Sequence, residues 1–269
     1  MAPSSAQRKF LRGVDQVMAL CGEAVAFQND NAYVFREEVE TRSPEHRIHR
    51  VYASERKPIP DDWTLRAGEA VQNIRASLDH VVYAVSGRRG CAFPICTKPD
   101  DFREASAKRL KGIPTAMQAT IERAQPYRTA PSAPSRDPLE QLRTLSNIDK
   151  HRTLTTVAAA VQHEAVGINE GIKLTWQEYA TGKLLTSDET HVSTFVVRAE
   201  REILSVDVQP QFTYEVRIEG RPLNVLVGVA RHVYRVLIEC ETGKPLSPFA
   251  PYPGAGQRIP PRPPCEPTP

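Results

Sequence analysis

Near Arg152 the spacing of apolar residues changes from three or four to two, and this change limits what the chain can fold into more than any other feature. Before it, Phe10, Val14, Val17, Met18, Val25 and Phe27 form one stripe at helical period, and Val71, Ile74, Leu78, Val81, Val82 and Val85 form another. After it, Ile172/Leu174/Trp176, Val192/Thr194/Val196 and Phe212/Tyr214/Val216/Ile218 alternate with polar residues, as in antiparallel strands with one wet face. A last stripe returns to helical spacing, with Leu223, Leu226, Val227, Ala230, Val233, Tyr234, Leu237 and Ile238 between Pro222 and Gly243. Helices, then strands, then a helix predict an α+β fold: a helical bundle-like N-terminal half, an antiparallel sheet and a C-terminal amphipathic helix.

Local signals refine this. Residues 4–28 predict a first helix. Runs 32–42 and 46–54 around Ser43-Pro44-Glu45 predict an inserted β-hairpin. Pro60-Asp61-Asp62 caps a helix that runs to Gly87, Pro99–Lys108 and Pro114–Ala124 predict shorter ones, and Asp137-Pro138 with Glu140 opens another that ends near Ile148. Three segments follow: a helical module over 4–152 carrying the hairpin near 32–54, a sheet plus terminal helix over 153–243 packed on the first module, and a tail over 244–269. From Pro245 onward the chain holds 10 of its 23 prolines and few aliphatic side chains, so the tail is expected to be disordered. Within it, RIPPRPP (258–264) suits an aromatic groove on a protein partner.

Composition excludes several classes. No window approaches the roughly 18 apolar residues of a spanning helix, and MAPSSAQRKFLRGVDQ lacks the apolar core of a signal peptide, so a cytoplasmic protein with no membrane partner is expected. Five cysteines at irregular spacing indicate neither a disulfide framework nor a zinc module. A net charge of +3 is too small to imply nucleic-acid binding by itself, so any RNA contact must rest on local patches. The phosphate-binding loop, the dinucleotide glycine pattern, the nucleophile elbow and the His-Glu-x-x-His zinc motif are all missing, and nothing calls for a cofactor.

Ionisable residues concentrate in two places, Arg75-Ala-Ser-Leu-Asp79-His80 on the strongest helix and Asn147-Ile-Asp149-Lys150-His151-Arg152 at the end of another. The first resembles the Arg-x4-His motif of HEPN ribonucleases, a family that includes toxins and defence effectors. That resemblance implies metal-independent RNA cleavage, with His80 as acid/base, Arg75 as phosphate clamp and Asp79 orienting. On an ideal helix Arg75 and His80 lie about 140° apart, so they would meet only at a bundle cleft or the seam of a homodimer. Lys150, His151 and Arg152 would then bind phosphate across that cleft.

Two alternatives stand beside this. Arg75 and Asp79 also fit an i,i+4 ion pair, with His80 a hydrogen-bonded bundle histidine, and the three cations fit a helix C-terminus. In that case the chain is a non-enzymatic binding or scaffold protein that uses its sheet face or proline tail. A third possibility is a metal centre from His80, His151, Asp79 and Asp149. More widely, NIRASLDHVVYAV, AFPI, AQPY and LRTLSNIDKHR resemble a recurring block of an uncharacterised bacterial family, which implies that both clusters travel with one helical module.

Overall fold

The structure, a computed structural model, describes residues 3–30, 32–161, 172–179, 184–185, 188–199 and 213–247. They form α1 (Ser5–Asn29), β1 (Tyr33–Ser43), β2 (His46–Glu55), α2 (Asp62–Ser86), α3 (Pro99–Arg109), α4 (Thr115–Arg123), α5 (Pro126–Thr129) and α6 (Pro138–His151). Then come β3 (Thr156–Val161), β4 (Ile172–Tyr179), β5 (Leu184–Leu185), β6 (Thr190–Ala199), β7 (Thr213–Ile218), β8 (Arg221–Pro222) and α7 (Val225–Thr242). The class is α+β, with every strand pairing antiparallel. The proline-rich tail beyond residue 247 and Phe212 lie outside the described residues.

The chain divides into two compact units, and the division differs from the one predicted. A helical unit takes Met1–Gly22, Asp61–Thr155 and Asn224–Ile259, and a β unit takes Glu23–Pro60 and Thr156–Leu223. The hairpin therefore belongs with the strands, not with the helical module. Two sheets also replace the single one expected, in the orders β1-β2-β6-β4 and β5-β3-β7-β8. The cause is long-range pairing: β2 sits beside β6, with His49 opposite Phe195, so the hairpin supplies two of the four strands of the first sheet. The inner face of that sheet buries His49, Val51, Ala53, Phe195 and Val197. The His49 ring stacks on Phe195 at 4.8 Å, and its Nδ1 lies 2.8 Å from Glu37 Oε1.

In the helical unit much of the predicted stripes forms the core, although Val85 is 46% exposed and Val229, which they did not include, is buried. Phe10, Val14 and Val17 of α1, Val71, Ile74 and Leu78 of α2, Leu139, Leu142 and Leu145 of α6, and Leu226, Val229 and Val233 of α7 are all buried. α7 packs on α2, α4 and α6. The caps divide as their backbones dictate. Asp137 is extended, and its carboxylate accepts the Leu139 N–H at 2.8 Å, as a cap should. Asp61 is already helical and caps nothing through its side chain, while Asp62 in the first turn pairs with Arg66 at 3.1 Å. No helix among the described residues is long and apolar enough to cross a membrane.

α1 crosses α2 at Gly13, where a Cβ would meet Ile74 Cγ1 at 2.7 Å and the Ala70 carbonyl oxygen at 3.0 Å. Backbone cannot yield there as the end of a flexible side chain could. Gly13→Ala is therefore expected to destabilise by about 1–3 kcal/mol through overpacking, although alanine is the better helix former by about 1 kcal/mol. A urea midpoint unchanged or raised by this substitution would contradict so close a crossing.

Candidate functional site

The residues between α2 and α3 include Phe93, Pro94 and Ile95, all buried. A buried stretch without helix or strand must find partners for its backbone groups elsewhere. Arg75 and Asp79, one turn apart on α2, supply the first two. Arg75 Nη2 donates to the Phe93 carbonyl oxygen at 2.8 Å, and Asp79 Oδ1 accepts the Phe93 N–H at 2.9 Å. The two side chains also pair with each other at 3.1 Å, so both polar groups of one peptide residue are held by one ion pair. Gln125, fully buried after α4, supplies two more. Its Nε2 donates to the carbonyls of Pro94 at 3.0 Å and Ile121 at 2.9 Å, while its Oε1 accepts the Cys96 N–H at 2.9 Å.

This geometry governs the chemistry open to Arg75. Its side chain is only 13% exposed, and Nη1 is buried with no partner among the described residues. Burial lowers its pKa, Asp79 opposes that, and nearby Arg109 adds to it. The carboxylate thus offsets a charge held away from water. His80 is half-buried and has no hydrogen-bond partner among the described residues, so the bonded bundle histidine of one alternative is not observed.

The second cluster lies elsewhere along the same helix pair. Asp149 Oδ2 accepts from Gln72 Nε2 at 3.0 Å, Gln72 also bonds Ser146, and the Asp149 carboxylate occupies the space a side chain at Gly68 would need. With Gly68 beside Asp149 and Gln72 beside Ser146, α2 and α6 run antiparallel. Arg75 is then carried about 10 Å, and His80 about 18 Å, along α2 from the level of Asp149 at 1.5 Å per residue. Lys150, His151 and Arg152 continue the opposite way. α6 extends to His151 rather than stopping near Ile148, and all three side chains are exposed. Arg152 Nη1 bends back to the Thr153 carbonyl at 3.3 Å. The stagger puts Lys150, His151 and Arg152, expected to bind phosphate beside His80, at the other end of the helix pair from it.

Among the described residues no three histidine, cysteine or carboxylate side chains gather to hold a metal ion, so His80, His151, Asp79 and Asp149 are not assembled as ligands. What the residue patterns did not single out is Gln125. Its signal lay in the AQPY run, which the fold brings onto AFPI. Comparison with known protein families, curated proteins and solved structures finds no match to this chain.

Proposed function

We propose that the protein is a non-enzymatic binding module that pairs with a second copy of itself through the outer face of the β1-β2-β6-β4 sheet. The observation that carries the non-enzymatic part is the engagement of Arg75. Cleavage of the Arg-x4-His kind needs a guanidinium on the scissile phosphate. Here that group is buried against Phe93 and Asp79, and drawing it out would leave the Phe93 carbonyl without its donor and Asp79 without its counter-charge.

The outer face supports the pairing. Strand register sets Trp176, 49% exposed, beside Val196 and then Ile48 as an apolar row. On one side of that row lie Lys173, Arg198 and His46, and on the other Glu178, Thr194, Arg50 and Glu38, with Glu40 offsetting the charge of Arg50 at 2.7 Å. A two-fold axis through the row would lay the basic end of one copy on the acidic end of the other, which is the self-complementarity an isologous interface requires. Tryptophan is a favoured anchor for such contacts. RNA fits this face less well, because Glu38 and Glu40 hold Arg36, Arg42 and Arg50 in ion pairs and Glu178 adds negative charge where phosphates would run.

Sedimentation of the full chain is expected to give a dimer that Trp176→Glu converts to monomer. A monomeric wild-type protein, or a variant with unchanged mass, would contradict the pairing. Labelled RNA incubated with the protein in excess chelator is expected to stay intact, and 2′,3′-cyclic phosphate ends would contradict the non-enzymatic reading.

A further inference from the structure

We propose that the cavity between the start of α6 and one face of α7 is a binding site for a small molecule carrying a phosphate group. The site is independent of the sheet face and of the reading given for it. Its volume is about 190 Å³, and its lining includes Pro138, Arg231, His232, Tyr234, Arg235 and Ser247. Arg235 lies one turn beyond His232 and Arg231 on α7, at i+3 and i+4 spacing, so it neighbours both. Gly243, in a left-handed conformation with φ of 68°, ends α7 and lets the chain turn back, where the Leu246 N–H donates to Glu239 Oε1 at 3.1 Å. This turn brings Leu246 and Ser247 to the cavity as its far wall.

The polar lining consists of groups that can donate, and none of it is a carboxylate. The nearest acids are already engaged. Asp137, 3% exposed, accepts from Leu139 and Thr129, and Glu239 accepts from Leu246. Arg235 is the informative residue. Arg36, Arg50, Arg75, Arg128, Arg143 and Arg217 each lie within 3.1 Å of a carboxylate oxygen. Half-buried Arg235 instead donates to His232 Nδ1 at 3.4 Å, a long bond to a neutral acceptor. Because arginine cannot accept, His232 Nδ1 must, which leaves the ring proton on Nε2, a buried atom with no partner among the described residues. An acceptor-rich dianion would give Arg235 the fork partner that the fold withholds from it.

Size narrows the class. A cavity of about 150 Å³ holds benzene and drug-sized ligands need about 300 Å³ or more, so the space suits phosphate with a short carbon substituent. Binding also couples to His232. Burial lowers its pKa, Arg235 adds to that, and Asp137 and Glu239 oppose it. An anion beside Arg235 would offset the charge of a protonated ring and so raise the pKa.

Calorimetric titration of the full chain with inorganic phosphate, glycerol 3-phosphate and acetate tests the site. One phosphate or glycerol 3-phosphate per chain is expected, weakened at least tenfold by Arg235→Gln and unchanged by Arg128→Gln, with acetate much weaker. Tighter glycerol 3-phosphate assigns the site to an organic phosphomonoester, and equal affinities assign it to the free anion. No saturable binding, equal binding of acetate, or full affinity in a folded Arg235→Gln protein would overturn the proposal. Magnetic resonance of the His232 ring gives a readout in the unmutated chain: its pKa should rise with phosphate, and a fixed or falling value would also overturn it.

Discussion

Gln125→Leu is expected to be the most damaging single substitution in the helical unit, lowering stability by about 4 kcal/mol. Leucine fits the volume but leaves the Pro94 and Ile121 carbonyls and the Cys96 N–H without their partner, and each such buried group costs about 1–3 kcal/mol, with incomplete additivity. Gln125→Glu should recover the bond to the Cys96 N–H and, through the proton that a carboxyl buried there retains, the bond to one of the two carbonyls. Urea unfolding of the three proteins checks the order wild type, Glu, Leu. A leucine variant within 1 kcal/mol of wild type would show that the residues after α2 do not depend on this amide.

Arg75→Met follows, with an expected loss of about 3 kcal/mol. Removing one member of a buried pair leaves the other uncompensated, which typically costs about 3–5 kcal/mol. Here the loss is held to the lower end because the Asp79 side chain is 36% exposed and keeps its bond to the Phe93 N–H. Methionine preserves the stem that packs on α2, so the change isolates the guanidinium. Arg75→Lys should lie between the two, since an ammonium can pair with Asp79 but matches the fork geometry poorly. Ranking the three by thermal midpoint, with Arg75→Met no less stable than wild type as the contrary result, tests whether this charge supports the fold.

Much of this architecture was legible because period and capping are local. Most of the stripes of α1, α2 and α7 became buried faces, with Val85 the exposed exception, Asp137 capped α6 as its Pro and Glu context indicated, and Ser43 to Glu45 turned the hairpin. β3 was not legible, since Thr156–Val161 reads TVAAAV and alternates nothing. Nor was the division into two sheets, which depends on β2 meeting β6 more than a hundred residues later. The same limit explains the site. The Arg75–Asp79 pair follows from i,i+4 spacing, whereas its target, the Phe93 backbone, lies 18 residues from Arg75, and Gln125 lies 31 residues from Pro94. Bonds from side chain to backbone across such distances leave no periodic trace, so a motif that resembles a catalytic one and a motif that clamps a loop look alike until the loop is in view.

Arg75 and His80 separate the two accounts in one comparison, with thermal midpoint and cleavage of labelled RNA in excess chelator measured together on wild type, Arg75→Met and His80→Ala. The structural account predicts no cleavage by any of the three, a large fall in midpoint for Arg75→Met, and little change for His80→Ala, because His80 has no hydrogen-bond partner among the described residues. Cleavage by the wild-type protein that disappears in a normally stable His80→Ala variant would contradict it and return Arg75 and His80 to a catalytic role.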